Sequence, residues 1–199
     1  MRGLVNHLVI FSKLPRIGLV KTRLAKQIGT VRAWAFARHC IKDMSYLAKD
    51  PRWQCSLAIS PDSAIHLNKL WPKAQSYIGQ GRGDLGDRMT RITKSLPPGP
   101  VVIIGSDIPT IRLKHVADAF FALGSHDTVF GPSKDGGYWL VGVRRRPAFK
   151  EIFKSVNWST KNALEDTIAN LPVHWKYKFI ETLEDIDEGD AYNRWKMNA

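Results

Sequence analysis

Apolar residues recur along the chain in short runs that read as strands at 4–11, 53–59, 101–105 and 127–131, with shorter runs near 75–79, 137–143 and 175–180. Segments with helical spacing lie between them. The clearest, 30–49, opens at Thr30 and sets Val31, Trp34, Ala35, Ala37, Cys40, Ile41, Met44 and Leu47 on one broad face. Others cover 61–70, 84–95, 112–123, 160–170 and 185–196, with Pro61, Ser159 and Asp185 near their starts. Strands alternating with helices are joined by right-handed crossovers, which places the helices on the sheet faces. The pattern predicts a three-layer α/β/α sandwich around a mostly parallel central sheet. Pro97, Pro98, Gly99 and Pro100 are too short a break to link two domains, and no repeat is visible, so residues 1–199 are read as a single domain.

Composition narrows the classes of function. No run approaches the roughly 18 consecutive apolar residues of a membrane helix, so no membrane span is expected. The opening MRGLVNHLVIFSK is interrupted by Asn6 and His7 and has no small-residue cleavage site, and reads as a first buried strand. Cys40 and Cys55 belong to no CxxC or Cys/His cluster, so buried thiols and a cytoplasmic location are expected. The net charge of +12 favours polyanions, but the basic residues are spread from Arg2 to Lys196 without a zinc finger, RNP pattern or GXXG loop. Phosphorylated small ligands are therefore expected as partners rather than nucleic acid. The six histidines show no partner spacing and are read as structural or surface residues. Nothing in the composition fixes the oligomeric state.

In an open α/β sheet, ligands bind beyond the carboxyl ends of the strands, so polar residues just after a strand carry most weight. Four segments qualify. Residues 11–24 hold Lys13, Arg16, Lys21 and Arg23 around Gly18, which outlines a phosphate-binding loop or, equally, a basic surface loop leading into a helix; neither GxxxxGK[ST] nor GxGxxG is present. In VVIIGSDIPT, Asp107 follows the strand and is stiffened by Pro109, a place for a hard oxygen ligand to Mg or Mn, against the alternative of a helix cap. Asp135, before Gly136 and Gly137, reads by itself as a turn between strands; beside Asp107 it offers a polar group toward a second substrate. Finally, Gly79, Gly81, Gly83 and Gly86 crowd around Asp84 and Asp87, which fits a backbone platform for a base or ribose as well as it fits a flexible loop capped by Asp84.

In this order the segments resemble the radical-SAM/selenodomain-associated transferase family, a group of GT-A glycosyltransferase-like proteins. The family pattern F-x-K-x-P-x-P-G-x-V-K-T-R-L is met by Phe11, Lys13, Pro15, Gly18, Val20, Lys21, Thr22, Arg23 and Leu24. G-D-L-G-x-R-M is met by Gly83, Asp84, Leu85, Gly86, Arg88 and Met89, I-G-S-D-x-P by Ile104 to Asp107 with Pro109, and D-G-G-Y by Asp135 to Tyr138. Trp158 to Thr160 and Asp185 to Asp187 match a later W-S-T and D-I-D. Two departures matter: Ile17 stands where the pattern has its second proline, and the D-I-D-T-P-E-D ending reads DIDEGDA, with Gly189 in place of the proline.

The resemblance implies a GT-A, nucleotide-diphosphosugar transferase fold, more distantly shared with guanylyltransferases of cofactor synthesis. It implies that Asp107 holds the catalytic Mg or Mn with Asp187 as a second ligand, that Lys13, Gly18, Lys21 and Arg23 clamp phosphate, and that Gly83, Asp84, Leu85, Gly86 and Arg88 border the base or ribose. Asp107 and Asp135 are then the expected catalytic residues. The expected partners are a nucleotide or nucleotide sugar and an acceptor of unknown kind, and the expected reaction is glycosyl transfer. Guanylyltransferase-like nucleotidyl transfer releasing pyrophosphate, and non-catalytic binding of a nucleotide or nucleic acid, are the alternatives.

Overall fold

The structure, a computed structural model, describes residues 4–67, 69–145 and 149–198. Seven strands form one sheet: β1 (His7–Lys13), β2 (Gln54–Ser60), β3 (Ser76–Gly79), β4 (Val101–Gly105), β5 (Thr128–Pro132), β6 (Tyr138–Val143) and β7 (Tyr177–Phe179). Their order is β3-β2-β1-β4-β6-β5-β7, and every neighbouring pair is parallel except those of β6 with β4 and with β5. The α/β class and the mostly parallel sheet are thus as expected, and each predicted strand is present. The reversal of β6 is what crossover reasoning alone misses. The turn 133–137 closes a hairpin from β5 to β6, with Ser133 N–H bonded to the Gly137 carbonyl at 3.0 Å, the role that Asp135-Gly136 suggests when read by itself.

The helices are α1 (Thr22–Ile28), α2 (Thr30–Asp43), α3 (Ser45–Ala48), α4 (Leu85–Ser95), α5 (Leu113–Ala122), α6 (Ala163–Ala169) and α7 (Gly189–Asn198). The predicted helix 30–49 is broken at Met44 into α2 and α3. That predicted over 61–70 is a correction: only a 3-10 turn, Asp62–Ala64, forms there, and position 68 lies outside the described residues. Asp62 is instead drawn to the neighbouring loop, accepting from Gly81 N–H at 3.0 Å. The last helix begins at Gly189 rather than 185, which leaves Asp185, Ile186 and Asp187 in an irregular segment.

Side chains alternate across each strand, and both sheet faces are covered. Leu8 and Ile10 of β1 with Val102 and Ile104 of β4 join a core with Ile41, Met44, Leu47, Val116 and Ala119, from α2, α3, α5 and the residue between α2 and α3. Val9, Val101 and Ile103 turn the other way and meet Met89, Ile92, Ile152 and Phe153. Fully burying such a side chain contributes about 1.5–3 kcal/mol, so the central strands are the rigid platform from which the loops project. A third cluster, Leu24, Phe36, Cys40, Ile186 and Ala191, ties α1, α2 and α7 together. Among the described residues no helix is long and apolar enough to cross a membrane.

Candidate functional site

At the carboxyl ends of β1 and β4 the chain opens into a cleft of about 480 Å³. Its walls include Ser12, Lys13, Lys21, Arg23, Gln80, Leu85, Asp107 and Asp187. The segment 14–20 is fixed by short-range bonds: Leu19 N–H donates to the Arg16 carbonyl at 3.0 Å, Trp34 Nε1 donates to the Pro15 carbonyl at 2.8 Å, and Lys13 Nζ donates to the Leu19 carbonyl at 3.2 Å. Ile17, in place of the expected proline, is exposed. Gly18 has φ +79, a left-handed turn that suits glycine, and its Cα faces open space.

Lys21 caps α1 with φ 48 and ψ 46, left-handed geometry that costs a non-glycine residue roughly 1 kcal/mol. That backbone drives its side chain inward. Only 4% of the side chain is exposed, and Nζ lies 2.8 Å from Asp187 Oδ1 and 3.5 Å from Asp107 Oδ1. Burial by itself would depress the pKa of the ammonium; the Asp107 and Asp187 carboxylates outweigh it and hold the pKa above its ordinary value. Asp107 and Asp187 are themselves open to the cleft, with side chains 62% and 41% exposed. Asp107 does not cap α5, whose cap is Arg112 with His115 Nδ1 accepting from Arg112 N–H at 3.0 Å.

Asp187 owes its position to its neighbours. Ile186 is buried in the α1/α2 cluster, and Gly189 N–H donates to Gln27 Oε1 of α1. Proline has no N–H to donate, so the departure at Gly189 adds an anchor between α7 and α1.

A second cleft of about 310 Å³ adjoins the first and shares Leu85, Gly105 and Asp107 with it. It is lined by Asp135, Asp185, Ser159, Thr160, Trp139 and Trp158, among others, and among the described residues no lysine or arginine lines it. Asp135 Oδ1 accepts from Gly137 N–H at 3.0 Å, which fixes the carboxylate at the turn. A Cβ on Gly136, which has φ +87, would come within 2.2 Å of the Lys161 carbonyl oxygen, so only glycine lets the 158–163 segment close over the turn. The carboxyl of Asp185 is pushed above the usual range by burial and then by the charges of Asp135 and Asp187. Carboxylates therefore dominate this cleft and cations the first.

The glycine-rich loop is organised around its own helix. Asp84 caps α4, accepting from Asp87 N–H at 2.8 Å, while Asp87 Oδ2 accepts from Asp84 N–H at 3.2 Å. Arg88 Nε donates to the Gly83 carbonyl at 2.9 Å, and Gly86 abuts the Phe153 carbonyl and the Trp158 ring. Of the five positions expected at the base or ribose, Leu85 lines both clefts, whereas Gly83, Asp84, Gly86 and Arg88 hold the loop that presents it. Three further cleft residues escaped sequence reasoning. Ser12, 2% exposed at the end of β1, has a hydroxyl with no partner among the described residues. Gln80 is buried and donates to the Ser12 and Ala58 carbonyls at 3.2 and 2.9 Å. Asp185 marks a helix start and the first position of the D-I-D motif in the sequence, neither of which gives it a role in the cleft. For Ser12 the available signal was its place next to Lys13, directly after an apolar run.

Among the described residues there is no cluster of three or more His, Cys, Asp or Glu that would hold a metal by itself. What exists is a pair: Asp107 and Asp187 present hard carboxylate oxygens converging on one point, now filled by Lys21 Nζ. Mg and Mn in phosphate chemistry commonly take one or two carboxylates and complete their shell with water and phosphate oxygens, so the donor set fits such an ion.

Solved structures share this architecture. A provisionally assigned nucleotide-diphospho-sugar transferase from Desulfovibrio desulfuricans G20 superposes with a TM-score of 0.84 at 26% identity, over 97% of this chain and 87% of that one. CMP:2-keto-3-deoxy-manno-octonic acid synthetase, crystallised with CTP, matches with a TM-score of 0.57 at 9% identity, covering 98% of both chains. Rv0371c of Mycobacterium tuberculosis H37Rv, in complex with manganese, matches with a TM-score of 0.50 at 13% identity, over 99% of this chain and 100% of that one. The last two likenesses establish the fold, which is that of nucleotide-diphospho-sugar transferases and nucleotidyltransferases. No curated protein sequence matches the chain. Residues 44–160, more than half of the chain, match the family described as "uncharacterized protein conserved in bacteria", DUF2064, and the chain belongs to that family.

Proposed function

We propose that the protein is a metal-dependent, glycosyltransferase-like enzyme that takes its donor from a nucleotide sugar. The observation that carries this reading is the meeting of two oppositely charged clefts at Asp107. The first, with Lys13, Lys21 and Arg23, suits the diphosphate of a donor. Asp107 and Asp187 are the residues to hold Mg or Mn, whose chemistry there is to offset charge growing on the leaving diphosphate. Leu85, the first residue of α4 after the Asp84 cap, forms an apolar wall for the nucleoside. In the second cleft, Asp135 keeps one carboxylate oxygen bonded to Gly137 N–H and has the other to orient an acceptor hydroxyl and take its proton. The resemblance to the radical-SAM/selenodomain-associated transferases and the D. desulfuricans likeness support the same reading.

Nucleotidyl transfer is the second reading, favoured by the fold neighbour seen with CTP. Where such a reaction uses a phosphorylated acceptor, it would set a second anion against Asp135 and Asp185, which the lining of that cleft opposes. A product assay decides. Nucleotide sugars and nucleoside triphosphates are each incubated with Mn and the purified chain. Release of a nucleoside diphosphate supports glycosyl transfer, and pyrophosphate from a triphosphate would replace it by nucleotidyl transfer. Neither product, with metal-independent and salt-sensitive RNA binding, would indicate a non-catalytic binder.

A further inference from the structure

Lys21 is oddly placed for a phosphate clamp. Its ammonium is almost sealed from solvent, with the Phe36 ring centroid 6.0 Å away, and the charges nearest to it are carboxylates. The two Oδ1 atoms that hold it belong to the same pair that would ligate a dication. An ammonium and a dication cannot both occupy the point where those oxygens converge. The backbone at Lys21 keeps left-handed geometry at its own cost, so the arrangement is built into the chain rather than adopted by a loose side chain.

Charge counting shows what exchange requires. One ammonium and two carboxylates leave a net charge of −1. Adding a dication while Lys21 stays would make the point positive, in a cleft already flanked by Lys13 and Arg23. A nucleotide's diphosphate brings the negative charge that lets both cations remain, and gives the ammonium another oxygen partner. We propose that Lys21 is an internal counter-cation: it holds the Asp107–Asp187 pair against free metal and releases it only when a nucleotide's phosphates arrive. Metal and nucleotide then bind as one coupled event, each raising the affinity of the other. This inference rests on the proposed roles of Asp107 and Asp187 and adds the competition by Lys21.

The test reads Mn(II) binding from the loss of the free-ion electron paramagnetic resonance signal, with Mn(II) as the only added ligand. Lys21→Met, and independently Lys21→Gln, which retains a polar side chain without the charge, should bind Mn(II) at least about tenfold more tightly than the unaltered protein. Adding Asp107→Asn to either variant should remove the gain. Lys26→Met, which removes an exposed cation of α1 that does not line the cleft, should change affinity by less than about threefold. If neither Lys21 variant binds Mn(II) more tightly, while the unaltered protein binds it in an Asp107-dependent way once nucleoside diphosphate is added, the competition is overturned and the site reading stands. If Asp107→Asn affects Mn(II) binding in no protein, with or without nucleotide, the site reading itself falls.

Discussion

Lys21 Nζ donates to Asp187 Oδ1 at 2.8 Å across 166 residues of sequence, joining the loop after β1 to the segment before α7. The bond closes one wall of the first cleft with the two ends of the chain. Because Lys21 is buried and Asp187 partly exposed, removing the carboxylate leaves an ammonium whose remaining carboxylate partner is 3.5 Å away. Asp187→Ala should lower unfolding free energy by about 1.5–3 kcal/mol, the range for hydrogen bonds to charged groups. Lys21→Met should recover part of that loss in the double variant, since the stranded charge is gone. Urea titrations of the four proteins check this; additive losses would mean that the pair is not energetically coupled.

Two glycines of the site should respond very differently to alanine. Gly136 has φ +87 and no room, with the Lys161 carbonyl 2.2 Å from where a Cβ would sit. Gly136→Ala should cost about 2–4 kcal/mol and loosen the 158–163 segment over the second cleft. Gly18 has φ +79 but open space around it, so Gly18→Ala should cost only the backbone term of about 1 kcal/mol. Equal losses in thermal or chemical unfolding would show that the Gly136 contact yields easily.

Cys40 and Cys55 are both buried, and burial pushes each thiol from the usual 9.0 up to about 12. At pH 8 the thiolate fraction of the folded protein is then of order one in ten thousand. Iodoacetamide should leave both cysteines unmodified in the native protein and label both in denaturant, as followed by mass spectrometry. The linkage has a definite sign. Between pH 9.0 and about 12 the unfolded chain loses thiol protons that the folded chain keeps, so stability falls as pH rises through that window. Replacing both cysteines by alanine should flatten this part of the pH–stability curve.

The fold was legible because its signals are local. Seven apolar runs became seven strands, and Asp84 with Asp87 marked the start of α4 through a capping box. The segment 61–70 misled because Pro61 and scattered apolar residues imitate a helix start, whereas Asp62 is taken up by the Gly81 loop. The site was legible only as a set of residues after strands. That Asp107, Asp187 and Lys21 meet follows from the placement of α7 against α1, through Gly189 and Gln27, and no local pattern encodes a contact over that distance. Nor does Lys21 look different in sequence from Lys13 or Arg23. Its left-handed backbone turns it inward while they stay exposed, and that difference emerges only once α1 is packed.

The two clefts should be separable by single carboxamide substitutions. Asp135 is held at a turn rather than in the core, so Asp135→Asn should leave the melting temperature within about 3 °C of the unaltered protein, whereas Asp107→Asn takes one of two carboxylates from the buried Lys21 ammonium and should lower it by more than Asp135→Asn does. Asp107→Asn removes a carboxylate common to both clefts and should abolish Mn-dependent binding of nucleoside diphosphate, as read by calorimetry. Asp135→Asn leaves the first cleft intact, so that binding should persist, while transfer to an acceptor should fall by about 10²–10⁴, the range for loss of a general base. The carboxylates of the second cleft also set the order of acceptors. With donor and Mn present, glucosamine should be a better acceptor or competitor than its 6-phosphate by at least about tenfold, because the phosphate would face Asp135 and Asp185 with no lysine or arginine among the described lining residues. A preference for the phosphate would mean that the acceptor enters by another route. Loss of nucleoside diphosphate binding in Asp135→Asn would mean that the two clefts do not divide the substrates as their charges indicate.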